Sequence, residues 1–399
     1  MKTPRKRKIF YVLVSACVLV VFFSFKYLGE EKVGFEYLPP VVAEIIGLEL
    51  VKIQEPPKPI VTHIKTPKPL KGIYMTACYA ATPSLRIKLT KLIEDTELNS
   101  VVIDIKDYSG TISFNSENLL LENDYAKGCV VADMQEFVAS LHEKGIYVIG
   151  RITVFQDPYQ TKKYLELAVK KDSDRTVVWK DHKGLSFIDV GAKDYWNYIV
   201  ALSKESYEIG FDELNFDYVR FPSDGNMKDI YYPFSGEKIA NNPEFGRAEV
   251  LRDFFSYLNK QMKVTGAVLS VDLFGMVTTN TDDLGIGQIL EYAEQYFDYI
   301  MPMVYPSHYP SGFNGWKNVN SVPYEVVNFA MNGAVERLIS ASSTSAKLRP
   351  WLQDFDYPVL YTTDMVRAQI RATYDAGLTS WVLWDPANRY TSEALQIEI

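Results

Sequence analysis

From Lys71 onward, eight short β-branched runs alternate with stretches of helical period, and few folds accept that alternation. The runs are 72–78 (GIYMTAC), 100–106 (SVVIDIK), 146–154 (IYVIGRITV), 212–219 (DELNFDYV), 267–274 (AVLSVDLF), 298–305 (DYIMPMVY), 347–354 (KLRPWLQD) and 379–385 (TSWVLWD). Between them, Met134, Phe137, Val138 and Leu141 recur at helical spacing, as do Val250, Phe254, Tyr257 and Leu258, and Val366, Ile370 and Tyr374. Gly145, Gly210 and Gly377 stand just before the third, fourth and eighth runs, where helices need a C-cap. Strands alternating with helices make βα units around a parallel sheet. Eight such units predict an α/β chain with a (β/α)8 TIM barrel over residues 71–399. A doubly wound open sheet is the competing architecture, and it carries a glycine-rich phosphate turn after its first strand. Here that turn reads Tyr79-Ala80-Ala81-Thr82-Pro83, without glycine. The residues left after Asp385 are too few for a full eighth helix, which is therefore expected to be short or missing.

The first 70 residues have a different texture. Lys2, Arg5, Lys6, Arg7 and Lys8 precede an apolar run from Ile9 to Phe25, and Glu30 and Glu31 follow it. That run matches the shortest spanning helices, and its flanking charges place the N-terminus inside. Residues 1–26 therefore read as a basic tip and an uncleaved transmembrane anchor, with the rest outside the cytoplasm. A lipoprotein box ending at Cys17 is the alternative, but too few apolar residues precede it. Residues 27–70, with Pro56, Pro57, Pro59, Pro67 and Pro69, read as an extended Pro-rich stalk separate from the barrel core.

Cys78 and Cys129 could pair, although nothing in their spacing demands it. With three Cys and four His there is no metal-ligand pattern, so neither a metal nor a cofactor is expected. A net charge of −8 argues against a nucleic-acid partner.

Barrel sites collect side chains from the C-terminal ends of several strands. Along a strand, residues alternate in direction. In FDELNFDYVRFP, Leu214, Phe216 and Tyr218 share one face, and Asn215 and Asp217 share the other. The same reasoning puts Asp104 and Lys106, Arg151, and Ser270 and Asp272 on inward faces. Tyr305 ends the sixth strand and His308 follows it, and Asp354, Trp384 and Asp385 end the last two. Charged groups in apolar strands are rare unless paired or functional. Glycoside cleavage needs two carboxyl groups, one to donate a proton and one to attack the sugar or activate water. Asp217 is the first candidate for the nucleophile or base, with Arg220 as its cationic partner, and Asp272 is the best candidate for the acid, with Asp354, Asp385 and Asp107 behind it. Asp104, Lys106, Arg151, Asn215, Arg220, Tyr305, His308, Asp354, Trp384 and Asp385 are candidate substrate contacts. The structural alternatives are an Asp217–Arg220 ion pair, a helix-capping Asp272, and an Asp104–Lys106 pair filling the barrel.

The pieces KGIYMTACYA, VVIDIKDYSGTISF, RITVFQDP, FDELNFDYVRFP, SVDLFGMV, YIMPMVYPSHYP and WVLWDPANRYT resemble, in order, the bacterial putative glycosyl hydrolase domain family. That resemblance implies a membrane-anchored (β/α)8 barrel related to α-amylase-like glycosidases. It implies a catalytic carboxylate at Asp217, after strand four. Amylase-type relatives use a Glu after strand five, where this chain has Asp272. The expected activity is hydrolysis of a cell-surface or environmental polysaccharide. A non-catalytic carbohydrate-binding or envelope-organising barrel is the alternative.

Overall fold

A computed structural model describes residues 60–121, 124–125 and 128–396. Eight parallel strands close into a barrel in sequence order. They are β1 (Lys71–Met75), β2 (Ser100–Lys106), β3 (Tyr147–Thr153), β4 (Glu213–Asp217), β5 (Val268–Phe274), β6 (Tyr299–Met303), β7 (Trp351–Gln353) and β8 (Trp381–Trp384). β1 pairs with β2 on one side and β8 on the other, so no strand is left at an edge.

The helices form around the stripes seen in the sequence. Met134–His142 buries Met134, Phe137, Val138 and Leu141. Gly246–Met262 buries Val250, Phe254 and Leu258, and Thr363–Asp375 buries Val366 and Ile370. Each such aliphatic or aromatic side chain contributes about 1.5–3 kcal/mol. Helix Lys193–Ile209 ends on Gly210, whose φ of 122° a side chain would resist. Outward strand residues such as Val101, Ile103, Val148, Leu214, Phe216, Val271 and Ile300 join these helices in one apolar layer. A smaller cluster fills the barrel interior, with Tyr74, Val102, Tyr147, Ile149, Met301, Trp351 and Val382.

Three differences from the sequence expectation shape the molecule. β7 spans three residues, not the eight of 347–354. Pro350 has no N–H for the ladder, and β6 meets β7 only at Met303 and Trp351. Second, β2 carries a bulge. Asp104 aligns with Arg151, but Lys106 aligns with Ile152, so β2 has one residue too many between them. The extra residue, Ile105, lies over Gly150, where a Cβ would come within 2.1 Å of it.

Third, the segment before β1 is not separate from the barrel core, contrary to the stalk reading of 27–70 over its described part. Leu70 is fully buried and plugs the N-terminal mouth, with Ile64 packed beside it. The Ile64 amide donates to Asp212 at 2.7 Å, and Thr66 bonds the Tyr147 hydroxyl at 3.0 Å. Its backbone polar groups find partners on the barrel, which an extended spacer in water would not need.

A short turn, Ser392–Ala394, is the only helical element after β8 among the described residues. The segment around it seals the β8–β1 seam. The Asn388 side chain accepts from the Thr76 amide at 3.0 Å and donates to the Tyr74 carbonyl at 3.0 Å. Cys78 and Cys129 form a disulfide, tying the turn after β1 to the long β2 loop. The proposed anchor at 9–25 and most of the stalk lie outside the described residues. No described helix is long and apolar enough to cross a membrane.

Candidate active site

Register and alternation bring charged side chains of β2, β3, β4 and β5 to one level inside the barrel. Arg151 pairs in register with Asn215, and Thr153 with Asp217. Arg151 is the hub. Its Nη1 donates to Asp104 at 2.7 Å. Its Nε donates to Asp217 Oδ2 at 3.1 Å, and Nη2 reaches the same oxygen. Asp272 Oδ2 stands 4.0 Å from Nε. One cation thus faces three carboxyl groups. Burial opposes its charge, but Asp217 and Asp104 hold its pKa well above the ordinary value.

The three carboxyl groups have different surroundings. Asp217 ends β4, and its Oδ1 accepts the Tyr218 amide at 2.5 Å. Tyr218 turns there into the left-handed region, φ 51°, so it leaves the parity it was assigned with Leu214 and Phe216. Asp272 is fully buried. Its Oδ1 accepts from Asn215 at 2.8 Å and from the Trp351 indole at 2.8 Å. Burial first, then the charge of Asp217, push its pKa well above the ordinary carboxyl value, against Arg151 and those two bonds. Asp104 lies beneath, bonded to the Tyr74 hydroxyl. Burial lifts its pKa to about 6, against Arg151 and Tyr74.

Above this cluster opens a cavity of about 320 Å³, in the range of small-ligand sites. Asp217, Asp272, Arg151, Tyr305 and Trp384 line its floor and walls. Trp384 stacks on Tyr74 at 4.0 Å, which fixes the indole plane at the mouth. Burial, and then Asp272 and Asp217, raise the Tyr305 phenol well above its usual value, so it stays a neutral donor.

Asp104, Arg151, Asn215, Asp217, Asp272, Tyr305 and Trp384 therefore gather at one place, with Arg220 and His308 on the cavity rim. Lys106 does not join them. The bulge turns it outward, where it pairs with buried Asp157 at 2.7 Å and bonds the Tyr195 hydroxyl at 3.2 Å. Asp385 does not converge either. It lies past the end of β8, and its carboxylate accepts the Ala387 and Arg389 amides. Asp354 holds Thr391 through its amide at 2.9 Å and its hydroxyl at 2.6 Å. Both acids line a neighbouring pocket beyond Trp384. Arg220 is not the cationic partner of Asp217, a place Arg151 takes. Its Nη1 donates to the Phe221 carbonyl and the Ser223 hydroxyl, each at 3.1 Å.

Sequence reasoning missed Tyr74 as the Asp104 partner, Trp351 as a donor to Asp272, and Lys183 on the cavity wall. Tyr74 had a signal, since it sits two residues after Gly72 on the inward face of the first strand. Lys183 lies in a loop without periodicity and had none.

The family model described as "Putative glycosyl hydrolase domain" matches residues 72–390. Among solved structures, a hypothetical protein from Ruminiclostridium thermocellum ATCC 27405 is 30% identical, with 50% of this chain and 96% of that chain covered, at TM-score 0.42. The PgaB (BpsB) glycoside hydrolase domain from Bordetella bronchiseptica is 14% identical, with 83% and 100% covered, at TM-score 0.59. Alpha-L-fucosidase isoenzyme 2 from Paenibacillus thiaminolyticus is 11% identical, with 82% and 48% covered, at TM-score 0.56. These last two share the barrel fold. No curated protein matches the sequence.

Proposed function

The chain belongs to the putative glycosyl hydrolase domain family, and from that premise we propose that it hydrolyses a polysaccharide with Asp217 and Asp272 as the catalytic pair. One observation carries the reading. Two carboxyl groups face one cavity and one arginine: Asp217 is paired directly with it, while Asp272 stands farther off at 4.0 Å and burial holds its pKa well above the ordinary value. Pairs of that kind divide the acid and base roles between them.

Asp272 is the acid. Its Oδ1 is taken by two donors, so its proton sits on Oδ2. It passes that proton to the glycosidic oxygen as the bond from that oxygen to the anomeric carbon breaks. Asp217, held by Arg151 and the Tyr218 amide, attacks the anomeric carbon or takes a proton from the attacking water. Nε of Arg151 lies 3.1 Å from Asp217 Oδ2 and 4.0 Å from Asp272 Oδ2. The two oxygens are therefore no farther apart than those distances laid end to end. That bound admits the short separation of a retaining pair and the lower range of an inverting one. Trp384 supplies a flat apolar face for a sugar ring.

The disulfide supports a barrel that works outside the cytoplasm, in an oxidising compartment. Residues 9–25 would be its membrane anchor. The test is a glycan digestion screen of the full chain beside its Asp217→Asn variant. Product release by the parent and not the variant is expected. Hydrolysis by the variant at the parent rate would refute the assignment, and binding without hydrolysis by either would point to a carbohydrate-binding barrel.

A further inference from the structure

Arg220 is 9% exposed, and no carboxylate pairs with it among the described residues. It lines the same cavity as Asp217. Among the described residues only its Nη1 is engaged, by Phe221 and Ser223. The rings of Tyr218 and Phe274, each 5.2 Å away, and Phe187, 5.7 Å away, hold the guanidinium in place. That leaves the Nε–Nη2 edge free. This edge presents two parallel N–H groups, the fork that matches a carboxylate. A buried cation with no anion is costly, and such a group normally has a partner. Burial lowers the Arg220 pKa, with only partial relief from Tyr218, Asp217, Asp224 and Asp181.

A second cation lines the same cavity. Lys183 makes no ion pair with a described residue, while burial and then Lys183 lower the pKa of the His308 ring at the rim, which favours its neutral form. The acids lining the cavity are Asp217, Asp272 and Asp224. Asp217 answers Arg151, and Asp272 holds its proton well above the usual range. Asp224 is exposed to water, where its charge is screened.

We propose that Arg220, with Lys183 lining the same cavity, binds the carboxylate of an acidic sugar, so that the substrate is a uronic-acid-containing polysaccharide. This rests on the glycoside reading above and adds its substrate class. The uronate carboxylate takes the Nε–Nη2 edge, and its ring lies toward Asp217 and Trp384.

The experiment is calorimetric titration of the full chain with S-linked disaccharides of glucuronate, galacturonate and mannuronate, which resist hydrolysis, and with their methyl esters. Esterification keeps the ring and removes the charge. At least one acid should bind about tenfold or more tighter than its ester, as a charge-assisted bidentate pair would give. That preference should shrink with added salt. Arg220→Gln should abolish it, and Arg220→Lys should keep part. If Arg220→Gln melts early, exposed Lys183→Gln serves instead, with about a threefold loss of preference expected. Equal binding of acid and ester, or a preference untouched in Arg220→Gln or Lys183→Gln, overturns the inference. Binding or cleavage of neutral glycans alone overturns only this substrate class. Failure to bind any saccharide, with no hydrolysis in the screen, overturns the glycoside reading as well.

Discussion

Replacing Arg151 by Met keeps most of the side-chain volume and removes the cation that Asp104, Asp217 and Asp272 share. Arg151 donates to Asp104 at 2.7 Å and to Asp217 at 3.1 Å. Breaking one buried pair costs about 3–5 kcal/mol, because a charge is left inside without a partner. Here two acids lose their donor, so the upper part of that range is expected near neutral pH. The acids can reduce the cost by taking up protons. Asp104 already titrates at about 6 with the arginine in place. Without it, its folded pKa climbs further above the unfolded value of about 3.9, at about 1.4 kcal/mol per unit. A carboxyl group with a raised folded pKa gives its full stability below the unfolded pKa and loses it as pH rises through the folded one. The variant should therefore lose most stability at pH 7.5 and much less at pH 4.5. Urea unfolding of parent and variant at both values measures this, with the midpoint shift converted through a common slope. An equal loss at the two pH values, or a loss below about 1 kcal/mol at pH 7.5, would refute the view of Arg151 as the counter-charge of the site.

Asp272→Asn should abolish cleavage of natural linkages and retain some on aryl glycosides with good leaving groups. The parent's rate should fall as pH rises through an apparent pKa well above the usual carboxyl range, and that limb should vanish in the variant. Asp217→Asn should lower the rate by about a thousandfold or more on every substrate, measured by initial rates against a matched melting curve. Lys106→Met should destabilise by about 3–5 kcal/mol through unpaired Asp157, while folded molecules keep their KM, because the pair lies outside the site. Replacing both Cys78 and Cys129 by Ser should cost about 4 kcal/mol, given the loop they close, and a reductant should have no further effect on that variant.

Side-chain alternation was legible wherever a strand was regular. It placed Asp104, Arg151, Asn215, Asp217 and Asp272 at one level, because each sits within a run whose neighbours are apolar. It failed at Lys106, since a single extra residue in β2 reverses every later side chain. It failed again at Asp354 and Asp385, which lie beyond their strands, where carboxylates hold loop amides rather than face a ligand. The choice between Arg151 and Arg220 as partner of Asp217 could not be read either. Both are one strand or one turn away in sequence terms, and only the register of β3 on β4 decides which guanidinium arrives. Proline-rich composition described residues 60–70 as a spacer, while the apolar pattern of Ile64 and Leu70 carried the contrary signal. Two widely spaced residues are too few to show a period.

That same segment has a mechanical meaning. From Ile60, the first described residue, the chain runs across the end of the barrel opposite the cavity. Thr62 is bonded to His142, Ile64 to Asp212 and Thr66 to Tyr147 along the way. A pull applied at Ile60 would therefore meet three bonds in series, backed by the buried Leu70 side chain, before it reached β1. The strand ends that carry Asp217 and Asp272 lie on the far side of the closed sheet, away from the path such a load would take.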